Sequence, residues 1–158
     1  MESARSRQFE EGVRELAEAE RATVSLAERL AASVGGEPVA LTLRDGSTVL
    51  GTVTDATRAW VLLGRTGREE IVPLAAVASA RGVVHQAAPL GEVASRLGLG
   101  HALRALARDG ATVVVVTMGG EVRGRIDQVG ADHVDVAADG AGSIVVPFGE
   151  ILAVRSVR

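Results

Sequence analysis

Arginine is the residue type in this chain best placed to do chemistry. Arg104 and Arg108, with His101, sit one to two turns apart along one side of a helix read over residues 90–108. Arg96 is close by in sequence, and Arg123 and Arg125 alternate on a strand further on. Arg96, His101, Arg104, Arg108, Arg123 and Arg125 therefore form a candidate nucleic-acid-binding set, because guanidinium groups in a row meet phosphates. Glu121, Asp127 and Asp135 share the strand face and oppose that reading, and Trp60 is the one residue suited to base stacking.

Other chemistries find less. His85, His101 and His133 lack the spacing of metal ligands, and the chain has no cysteine to supply a thiolate. Asp127, Asp132, Asp135 and Asp139 cluster, but at spacings typical of solvated strands and loops. Gly98 and Gly100 precede a helix, yet no strand leads into them and a third glycine is missing, so the dinucleotide fingerprint fails. No nucleophile elbow is present. The expectation is a non-enzyme with no cofactor and no metal.

The elements that must position these residues come from composition and period. The 158 residues are 47% hydrophobic with two Phe and one Trp, so the core is built from Val, Leu, Ile and Ala. Net charge is −3, which gives no overall basic footprint for nucleic acid. All 17 basic residues are Arg, as expected of a GC-rich coding bias. No apolar run is long enough to span a membrane and no apolar signal core opens the chain, so a cytoplasmic location is expected.

Residues 3–33 read as one amphipathic helix, with Phe9, Val13, Leu16, Val24, Ala27, Leu30 and Val34 on one face. Beyond it the chain repeats itself. Gly46, Val49, Gly51, Val61 and Gly67 return 73 residues later as Gly119, Val122, Gly124, Val134 and Gly140. Val72, Pro73 and Arg81 return 74 later as Val146, Pro147 and Arg155. Each copy shows five strand-like segments: 39–44, 47–55, 58–63, 69–73 and 77–81, then 112–118, 121–129, 132–137, 143–147 and 151–157. Gly51, in a strand interior, suggests a bend. The predicted organisation is an N-terminal helix over 1–36, a first small barrel over 37–82, a linker helix within 83–110 and a second barrel over 111–158.

The two copies differ on their outer faces. The second carries Glu121, Arg123, Arg125, Asp127, His133 and Asp135, whereas the first carries Thr48, Leu50, Thr52, Thr54, Trp60 and Leu62. An apolar group centred on Trp60 is not left bare. Leu50, Trp60 and Leu62 are therefore candidate partner-binding residues, to be covered by the N-terminal helix, the second copy or another subunit. Val113 and Val115 read as the second copy's apolar outer residues, with the linker helix as their lid.

An alternating first strand, Asp45-Gly46, Gly51-x-Val53, a Val-x-Leu strand and a short final strand together resemble the Sm-like fold. The likeness implies a mainly β protein with helices (α+β): two tandem five-stranded small β-barrels, each preceded by a helix. The run from Arg96 to Gly110, with Gly124 to Val136, also resembles a protein group of high-GC Gram-positive bacteria, a likeness that implies no activity. Sm-like proteins bind RNA through an Asp and an Asn, but here those positions hold Thr57 and Trp60, then Gly130 and His133, and the chain has no Asn. The resulting expectation is an interaction or scaffold module that oligomerises or binds a protein through the N-terminal helix and the Trp60 face. The alternative is an Sm-like binder of RNA or single-stranded nucleic acid. Binding at a membrane is not expected.

Overall fold

Period-two alternation of Val, Leu and Ile makes strands wherever it runs, and the computed structural model, which describes residues 2–157, contains ten of them. Met1 and Arg158, at the ends of the first and last expected segments, lie outside the described residues. The first repeat forms β1 (Val39–Leu43), β2 (Thr48–Ala56), β3 (Trp60–Arg65), β4 (Arg68–Pro73) and β5 (Val77–Arg81). The second forms β6 (Thr112–Thr117), β7 (Gly120–Val129), β8 (His133–Ala138), β9 (Gly142–Pro147) and β10 (Ile151–Val157).

The two expected barrels are not there. The strands form one antiparallel sheet of ten, in the order β5-β1-β2-β3-β4-β10-β6-β7-β8-β9. Closing the first repeat on itself would require β4 to pair with its own β5. Instead β4 pairs with β10 of the other repeat, Ile71 facing Val154 and Glu70 facing Arg155. The ladder runs on across the seam, leaving β5 and β9 as its two ends. The α+β character is as expected; the closure is not.

The helices also differ from expectation. The N-terminal helix is broken into α1 (Glu2–Arg21) and α2 (Leu26–Ala32). Ser25 caps α2: its Oγ accepts from the Glu28 backbone N–H at 3.1 Å, while Glu28 Oε1 accepts from the Ser25 N–H at 3.0 Å. That reciprocal box starts a new helix and fixes the break. The linker helix is shorter than 90–108, because α3 spans only Leu99–Arg108 and residues 92–96 form turns. Here α2 and α3 are themselves repeat partners, since Leu26, Ala27 and Leu30 correspond to Leu99, Gly100 and Leu103.

Two apolar cores result, and strands are shared between them. Leu30, Leu41, Val53, Val61 and Val72 build the first, joined by Leu152 and Ala153 from β10. Leu103, Val113, Val115, Val134 and Val136 build the second, joined by Trp60 and Ile71 from the first repeat. Val113 and Val115 are thus core residues, not the outer pair the alternation implied. The path from Val115 round to its partner Val122 is one residue shorter than that from Leu41 to Val49, so Val115, not Val114, takes the place of Leu41. A slip of one residue turns a strand's faces over.

Gly51 and its repeat partner Gly124 sit where strands pass closely rather than at the irregularities of β2 and β7, which fall between Val53 and Asp55 and between Ile126 and Gln128. A methyl group on Gly124 would overlap the Ala137 carbonyl and crowd the Ala138 Cα, both backbone. Gly124→Ala is expected to lower stability by about 1–3 kcal/mol, the usual cost of overpacking, measured by chemical denaturation. A neutral substitution would show that β7 and β8 are not held this close.

Candidate interaction surfaces

Trp60 is the first candidate, and the fold covers it within the chain. It is only 6% exposed and packs in the second core with Ile71 and Leu99. Its indole N–H donates to the Gly98 carbonyl at 3.2 Å, where α3 begins. The backbone is held by Thr57, whose Oγ1 accepts from the Trp60 N–H at 3.0 Å and whose N–H donates to the Trp60 carbonyl at 2.8 Å. Only an edge of the indole reaches the surface, where it lines a groove beside α3 with Leu62 and Leu97. Leu62 is partly buried beside it, whereas Leu50 is exposed and lies in a separate groove with Thr48 and Arg65. Leu50, Trp60 and Leu62 do not form one patch.

The six basic candidates are not gathered either. His101 lines a groove of about 260 Å³ whose other polar walls are the carboxylates Asp55, Glu69 and Asp109, an acidic setting. Arg104 and Arg108 are exposed on α3, with the Arg104 guanidinium beside Gly100. Leu99 and Leu103 of α3 pack with Ile126, so α3 covers the Ile126 face of β7. Arg123 and Arg125 alternate with Ile126 and so point to the opposite face. Arg96 lies in the turns before α3.

The seam makes a cluster that sequence reasoning missed. Arg155 of β10 reaches Glu121 at 3.1 Å and Glu70 of β4 at 4.0 Å. Arg123 approaches Asp139 at 3.8 Å. Arg68, Arg123 and Arg155 line a cleft of about 410 Å³ with Glu121 and Gly67. No spacing in the chain signals this group, because only the β4–β10 pairing joins residues so far apart in sequence.

Burial raises the Glu70 carboxyl above its ordinary value near 4.5, against the opposing pull of Arg155 and Arg68. A carboxyl raised on folding favours the folded state while protonated. That contribution is present below the unfolded value and fades as pH rises through the folded one. Glu70→Gln is expected to remove this dependence. Relative to the variant, the unmodified chain should lose unfolding free energy as pH rises from about 4 towards neutrality. Parallel curves for the two chains would show that Glu70 does not titrate differently on folding. His133, which stands where the first repeat has Trp60, is also raised, by its hydrogen bond to Asp132 first and then by the charges of Asp132 and Asp135.

The largest uncovered apolar side chains lie elsewhere. Phe9, Val13 and Leu16 make a stripe along α1, and Phe9 is 73% exposed. None of residues 3–21 is buried. Val145, at the β9 end of the sheet, is also bare.

Among the described residues no group of three or more His, Cys, Asp or Glu side chains is arranged to hold a metal ion. No helix among them is long and apolar enough to cross a membrane. Compared with known proteins, the chain matches no protein family and no curated sequence.

Proposed function

We propose that this chain is a non-enzymatic cytoplasmic interaction module that self-associates through α1. The observation that carries this reading is the stripe of Phe9, Val13 and Leu16, exposed on a helix in which none of residues 3–21 is buried. Steps of four and three residues are those of a helix–helix seam. Antiparallel pairing about Gly12 and Val13 sets Phe9 against Leu16 of a second copy and Arg5 against its Glu20. Parallel pairing would instead oppose Arg5 to Arg5 and Glu20 to Glu20, so charge favours the antiparallel arrangement.

Sedimentation of the full chain and of a Phe9→Gln, Leu16→Gln double variant tests this reading. Both positions are exposed, so the variant should fold unchanged. Its mass at a given concentration is expected to fall at least twofold below that of the unmodified chain. Equal masses would remove the reading.

A second reading, binding of single-stranded nucleic acid, draws support from Arg68, Arg123 and Arg155 around the seam cleft. Against it, Glu70 and Glu121 already approach Arg155. Fluorescence anisotropy with mixed oligonucleotides at low salt separates the two. The leading reading expects a flat titration. A rise that collapses between low and moderate salt, and that weakens in Arg68→Gln, would replace it with the nucleic-acid reading.

A further inference from the structure

Where α3 lies over the first repeat, the fold leaves a groove of about 260 Å³ with an apolar floor and an acidic rim. The sheet supplies the Trp60 edge, Leu62 and Ile71 to the floor, and the α3 side supplies Leu97 and Leu106. Leu62, Leu97 and Leu106 are each only partly buried, so apolar surface stays open there. Asp55, Glu69 and Asp109 stand around it. Strand pairing gathers the sheet residues. Asp55 of β2 faces Leu62 of β3, and Leu62 faces Ile71 of β4, two places along from Glu69.

The chain supplies these carboxylates with no cation. Arg155 approaches Glu70 and Glu121, and Arg123 approaches Asp139, but among the described residues Asp55, Glu69 and Asp109 take part in no ion pair. Asp55 accepts from the N–H of its neighbour Ala56 at 2.8 Å. Asp109 caps the C-terminus of α3, where the last carbonyls of the helix already concentrate negative charge. Arg104 and Arg108 of α3 are not among the lining residues, whose remaining titratable member is His101.

We infer that this groove takes a long cationic side chain, arginine or lysine, from a basic segment of a partner protein. The aliphatic stem lies along Leu62, Leu97 and the indole edge, and the charged head reaches the carboxylates. Long cationic side chains divide in this way between apolar surface and charge. Complementary charge selects the occupant. Volume selects its source. Sites that enclose a whole small molecule run from about 300 to 1,000 Å³, so this smaller groove suits one side chain better than a free ligand. The exposed helix of a second copy is not the complement, because α1 carries six Glu against four Arg. Binding here goes beyond self-association through α1 and uses a different surface, so neither reading rests on the other.

Trp60 is the only tryptophan, so its fluorescence reads the groove directly. The probe is the capped peptide acetyl-Gly-Arg-Leu-Arg-Gly-amide, with citrulline in place of both arginines as the uncharged control. In the full chain at low salt, the arginine peptide should shift the emission saturably and the citrulline peptide should leave it unchanged. Asp55→Asn together with Glu69→Gln should weaken binding about tenfold, the product of two exposed ion pairs at about two- to fivefold each. Both positions are exposed, so the fold is kept. Glu15→Gln together with Glu18→Gln makes the same change of net charge on α1 and should leave binding as it was. No shift with the arginine peptide up to millimolar concentration overturns the inference. So does equal binding of the citrulline peptide, or equal weakening by the α1 pair. Spermidine binding more tightly than the peptide would replace the partner segment with a free polyamine.

Discussion

Trp60→Ala is expected to lower the unfolding free energy by about 3–5 kcal/mol, the range for removing a large buried aromatic from a core. The indole fills space between the two repeats, against Ile71 and Leu99, so its loss opens a cavity where the halves meet. It also leaves the Gly98 carbonyl without its donor at the start of α3. Trp60→Phe separates the two effects. It keeps most of the packing and removes the N–H, and should cost nearer 1 kcal/mol beyond the small change in volume. Circular dichroism in denaturant is the readout, since Trp60 is the only tryptophan. A change below about 1 kcal/mol for Trp60→Ala would mean that the indole is not held between the repeats.

Leu152→Ala is the second large effect, expected to cost about 2–5 kcal/mol. Leu152 lies on the last strand yet is fully buried in the first repeat's core, with Val61 and Val72. Its removal should destabilise residues 39–81 as much as residues 112–157, because β10 supplies side chains to both cores. The chain should therefore unfold in one transition, before and after the substitution. Val145→Ala, at an exposed position, should change stability by less than about 0.5 kcal/mol. Two separable transitions, with only the second moved by Leu152→Ala, would show that the repeats are independent units.

Much of the local structure was legible in the residues. All ten strands fall where alternation placed them, because the faces of a strand are written every second residue and need no knowledge of a partner. The duplication was legible for the same reason, and the sequence already held the capping box at Ser25 and Glu28 that breaks the first helix. Reading Phe9 to Leu30 as one apolar face passed over it. The candidate sites fared differently. Trp60 stood out by type, but its neighbour Gly98 lies 38 positions away.

By itself, then, the sequence determined two copies of a helix and five strands, their turns, and which residues are apolar on each. The tertiary structure alone decided that β4 takes β10 rather than its own β5 as neighbour. From that choice follow the open ten-stranded sheet, the covered indole, the arginine cluster at the seam and the two free ends. The physical reason is that backbone N–H and C=O groups are the same at every strand edge. Alternation records which side of a strand is apolar and carries no mark of which edge will meet it.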